Sequence, residues 1–573
     1  MKRKTSGPKK ISWQEYAFAH WPGLLAVAAY LAAFALFPFW RWLILAPLVP
    51  VLFRLLKADD WPALLTALLY VLCFPHARLG FLGFICLTPV VLSVWGDDPR
   101  RAWRLGWLAG TFGNLGKLYW LVHTISYFSP IPFPVAVLIL LLLCTTLGLF
   151  WAIHFRATHW LVNRYRLPLW FVFPAGWVFW DYWLTYFLGG FPWEVLGGAA
   201  FHIPLLNQTF DLLGEFALCW LLAFGNVVAA QWVRFARKQA AFPVAATAVL
   251  GAATVAGLIY GALRTDQIDA LMRQGKEIKV GLLQANVDQN RKWSGGFREQ
   301  IIDDYANLAV SAADNGADLI VMPETSIPMI QPRWMPLDVD VTRYPLAAKR
   351  YVLAGVPTEV KRLDRTDPRG LEARYNSAVL LAPEGEDLAW YDKNRLVPFG
   401  EYIPKKHWLQ KIAGKALKGT FNFEESGRYT LMPYPPAQFA VFICYESIYP
   451  STVRRLNRLG AKFLVTITND AWFGNTSSPQ QHWAQVAMRA IENRRWIARA
   501  ANTGISGIID PLGRTVVATP LEVKTMVVGS VHTMDVHTVY ETVGDVAAWL
   551  GSALYLAAVG YGLARRRKEK KSA

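Results

Sequence analysis

Cysteine is scarce in this chain of 573 residues, with five in all. None shows the paired spacing of a disulfide framework or a zinc site, which excludes both as the source of its order. H-E-x-x-H, a P-loop and a dinucleotide-binding fingerprint are also missing, so the motifs give no ground for a metal or nucleotide cofactor. Charged residues make up only 17% of the chain, low for a purely water-soluble protein. Met1 to Lys10 is basic, but no short apolar core with a small-residue cleavage site follows, so no removable signal peptide is expected.

Apolar surface is what the chain has in abundance. Apolar residues form 54% of it, and 26 residues are tryptophan. They are unevenly spread. Residues 21–263 are dominated by apolar runs, residues 275–535 have ordinary globular composition, and residues 546–563 are apolar again. That pattern predicts a multi-pass α-helical membrane bundle with a large soluble α/β domain inserted before the last span. The expected division is a basic tail with an extra hydrophobic hairpin (1–56), a helix bundle (57–265), the soluble domain (275–535), a last span (546–563) and a basic tail (564–573). Spans are expected at about 22–38, 41–56, 62–76, 80–96, 105–125, 133–155, 168–186, 209–233, 242–262 and 546–563. The first pair is alternatively a re-entrant hairpin.

The net charge of +18 follows topology rather than a nucleic-acid surface. Arg54 and Lys57, then Arg100, Arg101 and Arg104, then Arg156, Arg164 and Arg166, then Arg234, Arg237 and Lys238 occupy alternate loops. The loops between them are poor in both: Ser126 to Pro132 and Phe187 to Asn207 hold no lysine or arginine, and the two earlier ones hold only Arg41 and Arg78. By the positive-inside rule both termini are cytoplasmic and the soluble domain lies on the opposite side. One of those uncharged loops reads Gly189-Gly190-Phe191-Pro192-Trp193-Glu194. Aromatics at a span end ordinarily anchor the interface, and the alternative is that they line a substrate groove. Asp181 is the clearest acid within a span, a functional position by default or one facing polar neighbours in the bundle.

Short apolar runs in the soluble part predict strands over 278–287, 317–325, 351–359, 376–383, 438–446, 462–470, 504–513 and 526–531. Helices are expected over about 296–315 and 479–501. Cys444 ends the run QFAVFICYE and is the only cysteine outside the apolar spans. Glu324 ends the run in VMPET, and Lys393 lies in the polar turn WYDKNRLVPFGE. A cysteine nucleophile needs such partners. At its reference pKa of about 8.5 a thiol is only a few per cent thiolate at neutral pH. A carboxylate can take its proton, and an ammonium can stabilise both thiolate and tetrahedral oxyanion. Spacing alone does not bring the three together. Separately, they read as a helix cap, a solvated lysine and a packed thiol.

VMPET, YDKNRLVPFGEYIP, FICYES and TITNDAWFG, in that order, resemble the Glu-Lys-Cys signature of the nitrilase superfamily. With GGFPWE, QHWAQVAMRAIENRR, NTGISGIIDPLG and the flanking spans, the chain resembles the apolipoprotein N-acyltransferases of bacterial inner membranes over roughly residues 60–563. The resemblance implies a four-layer αββα sandwich on a helix bundle, with Glu324 as base, Cys444 as nucleophile and Lys393 as oxyanion and thiolate stabiliser. It implies supporting roles for Glu401, Tyr445 and Glu446, and a place for Trp293 near the substrate entrance. It also implies no metal or other cofactor, a phospholipid donor such as phosphatidylethanolamine, a diacylglyceryl lipoprotein acceptor, a monomer, and an active site on the periplasmic side. The rival readings are a membrane-anchored carbon-nitrogen hydrolase with the same triad, and a transporter or scaffold whose soluble domain is inert. Residues 413–427 are expected to act as a mobile lid.

Overall fold

The computed structural model describes residues 56–129, 131–293, 295–362, 372–403 and 422–572. The two N-terminal spans, and residues 413–421 of the expected lid, lie outside the described residues. Among those described, four helices are long and apolar enough to cross a membrane: Phe133–Tyr165, Leu206–Ala236, Val244–Met272 and Val546–Ser572. Shorter helices complete the bundle, among them Trp61–Leu72, Pro99–Leu118 and Leu169–Trp183. At about 1.5 Å per residue, the 12 residues of Trp61–Leu72 fall well short of the hydrocarbon thickness.

The run expected as one span over 80–96 is instead three short helices, Gly80–Phe84, Thr88–Val91 and Leu92–Trp95. Hydropathy cannot reveal the reason, which is one buried side chain. Asn226 Oδ1 accepts the backbone N–H of Leu87 at 2.6 Å and of Thr88 at 3.0 Å, and its Nδ2 donates to Gly83 O at 2.7 Å. The break is therefore satisfied inside the protein, the condition for irregular backbone at membrane depth. Asp181 does face polar neighbours, since its Oδ2 accepts Trp177 Nε1–H at 3.1 Å and Leu196 N–H at 3.2 Å.

The soluble part is built on two stacked sheets. The first holds β1 (Glu277–Gln284), β2 (Leu319–Val321), β3 (Gln331–Pro332), β4 (Tyr351–Lys361), β5 (Glu372–Leu381), β6 (Asp387–Asp392) and β13 (Thr525–His532). Its order is β13-β1-β2-β4-β5-β6, with β3 pairing to β4. The second holds β7 (Leu431–Met432), β8 (Phe439–Ile443), β9 (Leu464–Thr468), β10 (Ile497–Ala501), β11 (Gly507–Ile509) and β12 (Thr515–Ala518), in the order β12-β11-β10-β9-β8-β7. Val280, Leu282, Val321 and Leu380 of the first sheet join Val441, Val465 and Ala498 of the second in one buried core. Helices Arg298–Asp314 and Val339–Ala348 cover the outside of the first sheet, and Pro450–Asn457 and Ser478–Asn493 flank the second. The result is the αββα sandwich.

One helix is shorter than its sequence suggests. The expected 479–501 ends at Asn493, where Arg494 turns left-handed at φ +48°, and β10 begins at Ile497. IARAA reads as helical because it is rich in alanine, yet every residue of it is buried in a central strand. Tertiary packing overrides local propensity there.

That helix also joins the domain to the bundle. Gln481 Oε1 accepts the indole N–H of Trp193 at 2.8 Å and of Trp120 at 3.2 Å. Arg489 pairs with Glu215 at 3.1 Å and Arg494 with Asp211 at 2.9 Å, all four side chains being buried. Breaking such a pair strands a charge at a cost of about 3–5 kcal/mol, so the seam holds the domain in one orientation.

Candidate active site

Parallel strands aim the polar side chains. β1, β2 and β4 run parallel, as do β8, β9 and β10. Glu324 lies just past the end of β2, Cys444 follows β8, and Asn469 and Asp470 follow β9. The carboxyl ends of parallel strands are where open α/β sheets bind ligands.

Lys393, just past β6, sits between two acids. Its Nζ donates to Glu324 Oε1 at 3.0 Å and to Glu401 Oε1 at 2.9 Å. Asn376 of β5 bridges the same two oxygens, donating to each at 2.7 Å. The other Glu324 oxygen accepts Asn469 N–H at 2.8 Å, and the other Glu401 oxygen accepts Val397 N–H at 2.8 Å. Among the described residues, two of the three ammonium donors are used, which leaves one to meet a developing oxyanion.

Burial works against charge on Glu324, but Lys393 and Asn376 outweigh it and hold the carboxyl below its usual range. Burial likewise works against the Lys393 ammonium, and Glu324 and Glu401 together hold its pKa above the ordinary value. For Cys444, burial pushes the thiol well up, and Glu324 adds to the shift against the opposing pull of Lys393. Burial and the neighbouring charges thus favour the neutral thiol at Cys444 and the ionised carboxylate at Glu324. Activation then depends on proton transfer to Glu324 as an electrophile arrives.

Cys444 is 6% exposed and left-handed at φ +51°, uncommon for a side chain other than glycine. Two clamps hold that turn. Glu446 accepts Ile443 N–H at 2.6 Å, Asn394 N–H at 2.7 Å and the Tyr391 hydroxyl at 2.9 Å, tying the cysteine turn to the lysine turn. His482 Nε2 lies 3.1 Å from Cys444 O and 2.7 Å from Ser447 Oγ, while its Nδ1 lies 3.1 Å from Asp470 Oδ1. Arg499 holds Asp470 from the far side at 2.6 Å.

Glu324, Lys393 and Glu401 thus meet in one hydrogen-bonded cluster, and Cys444 feels the charge of the first two. Glu446 works at the back of the turn, and Tyr445 reaches out of the cluster into the membrane bundle. Its hydroxyl donates to Gly190 O at 2.8 Å, where the Tyr449 hydroxyl also donates at 3.0 Å. The anchor reading of Trp193 needs correction. It is buried rather than interfacial, 5.9 Å from the Phe473 ring and 5.8 Å from the His482 ring, because its N–H finds Gln481 inside. Trp293 is 37% exposed, one residue beyond the buried Lys292.

Sequence reasoning missed Asn376, His482 and Lys292. Lys292 Nζ donates to Thr325 Oγ1 at 2.7 Å and to Glu324 O at 3.3 Å, and burial brings its pKa down to about 7 against the pull of Glu324. It secures Thr325, a β-branched residue held at φ +47° beside the carboxylate. The one signal for it was the lysine of NRKW, next to the tryptophan already singled out.

A family model described as carbon-nitrogen hydrolase matches residues 279–541, and one described as the apolipoprotein N-acyltransferase N-terminal domain matches residues 66–228. The chain is 34% identical over 522 residues to the apolipoprotein N-acyltransferase of Geobacter metallireducens, covering 89% of this chain and 96% of that protein. It is 31% identical over 533 residues to that of Azotobacter vinelandii, covering 90% and 98% respectively. A solved mutant amidase of the nitrilase superfamily from Nesterenkonia is similar over 45% of this chain and 91% of its own, at 20% identity and a TM-score of 0.33.

Proposed function

The chain belongs to the apolipoprotein N-acyltransferases, and on that premise we propose that Cys444 carries the acyl group as a thioester between a membrane phospholipid and a lipoprotein amine. In the first half-reaction Glu324 takes the thiol proton as sulfur attacks the ester carbonyl carbon. The C–S bond forms, the C–O bond to glycerol breaks, and Glu324 returns the proton to the departing oxygen, giving a lysophospholipid. In the second, the α-amino group of a diacylglyceryl-cysteine attacks the thioester. The C–N bond forms, the C–S bond breaks, and the amine proton passes through Glu324 back to sulfur. Lys393 stabilises the oxyanion in both, and Glu401 holds the ammonium in position. Trp293 stands at the substrate entrance.

The observation that carries this reading is the hydrogen bond from Tyr445, next to the nucleophile, to Gly190 of the membrane loop. It seats the thiol at the bundle, where an acyl chain can reach it without leaving the bilayer. Extracting such a chain costs about 0.8 kcal/mol per CH₂. The arginine-rich loops support an orientation with both termini cytoplasmic and the α/β domain periplasmic.

The test is lysophospholipid release by purified enzyme in mixed micelles with phosphatidylethanolamine. Turnover is expected only when a diacylglyceryl peptide with a free α-amino group is present. Continuous release without the peptide, with free fatty acid as product, contradicts transfer and supports hydrolysis.

A further inference from the structure

We infer that Arg395 is a phosphate site for the acyl donor, so that the enzyme reads the phosphodiester of its phospholipid as well as its ester. The inference rests on the acyl-transfer reading above and deepens it.

Arg395 lies two residues beyond Lys393, on the same turn. Its guanidinium sits over the Tyr449 ring, 5.1 Å from the centroid. That phenol donates to Gly190 O, the oxygen that also receives the hydroxyl of Tyr445 beside the nucleophile. The guanidinium is thus one aromatic ring away from the contact between the Cys444 turn and the membrane loop. Tyr186, which feels the Arg395 charge, and Phe187 are exposed just past the helix Leu169–Trp183, and Phe399 is exposed four residues beyond Arg395. Exposed aromatics at the end of a membrane helix mark headgroup level.

Among the described residues no carboxylate lies within ion-pair distance of Arg395, and none of its donors is hydrogen-bonded. The sequence 404–421 that follows the turn carries five lysines and no acid. The buried Arg489, Arg494 and Arg499 are each matched to an acid, whereas the half-buried Arg395, two residues from Lys393, is matched to none among the described residues. A planar guanidinium with unused donors matches a phosphate bidentately and is less strongly hydrated than an ammonium. In a glycerophospholipid the phosphate is only a few bonds from the scissile ester, so a thiol and an arginine on adjoining turns can engage both. The acceptor diacylglyceryl group carries no phosphate. Arg395 therefore acts on acylation of Cys444 and not on transfer from it.

The test is single-turnover acylation of the full-length enzyme, followed by intact mass, with two donors bearing the same chains: phosphatidylethanolamine and phosphate-free diacylglycerol. Arg395→Gln is expected to slow acylation from subsaturating phosphatidylethanolamine about tenfold or more. It should leave acylation from diacylglycerol, and release of the preformed thioester by the acceptor peptide, unchanged. Arg395→Lys should recover part of the phospholipid rate. Equal loss with both donors overturns the assignment in favour of a structural role for the turn, and no loss with phosphatidylethanolamine overturns it outright. Acceleration of the diacylglycerol reaction by inorganic phosphate, abolished in Arg395→Gln, would mean a free-anion site and also overturns it. If the unaltered enzyme forms no thioester from either donor, it is the underlying acyl-transfer reading that fails.

Discussion

Replacing Lys393 with methionine is expected to abolish acylation of Cys444, a loss of at least about a thousandfold, and to destabilise the α/β domain by about 3–5 kcal/mol. The two effects share one cause. The ammonium lies 3.0 Å from Glu324 and 2.9 Å from Glu401, with all three side chains largely or fully buried. Methionine fills the volume and leaves two carboxylates bridged only by Asn376. One of them must then take up a proton, and a protonated Glu324 cannot act as base. Thermal unfolding should shift down by about 10 °C. Adding Glu401→Gln to Lys393→Met removes one stranded charge, so it should recover part of that stability and none of the acylation. Recovery of neither would mean that the lysine contributes to stability through packing alone.

Gly190→Ala is expected to cut acylation about a hundredfold while the sheets stay folded. Gly190 is at φ +84°, and a Cβ there would sit 2.2 Å from Thr185 O and 2.9 Å from the Tyr449 hydroxyl. The backbone oxygen cannot yield without moving the loop, and the loop holds Tyr445 and Tyr449. A displacement on the order of 1 Å at the nucleophile costs about that factor even though no reacting group is touched. Steady-state kinetics with circular dichroism checks it. Unchanged acylation would show that the membrane loop does not position the thiol.

How legible was this in the sequence? Glu324 and Cys444 could be found because each ends an apolar strand abruptly, and a strand end is a place sequence can mark. Lys393 stands in a polar turn. What joins them was not visible. Asn376 is one polar residue at the start of an apolar strand, and nothing in NSAVLLAP shows that its amide spans two carboxylates. His482 lies inside a helical pattern and reads as one more polar position. The bundle was legible as apolar mass but not as geometry. Asn226 breaks the 80–96 run from well over a hundred positions away, a contact no window of hydropathy contains. The seam was hidden for the same reason. Asp211 and Glu215 lie within the expected span 209–233, and Arg489 and Arg494 within the expected helix 479–501, with nothing local to show that the fold pairs them. Sequence marks where chains turn and what is apolar. It does not mark which distant polar groups satisfy one another.

The central claim is that Cys444 holds the acyl group covalently, and intact mass spectrometry after incubation with phosphatidylethanolamine, without acceptor, tests it most directly. The account predicts a mass increase of one acyl chain on Cys444 that hydroxylamine or the acceptor peptide removes, and no such adduct on Cys444→Ser removable by neutral hydroxylamine. Folded enzyme that turns over donor and acceptor, yet never shows the adduct and retains turnover as Cys444→Ala, would contradict it.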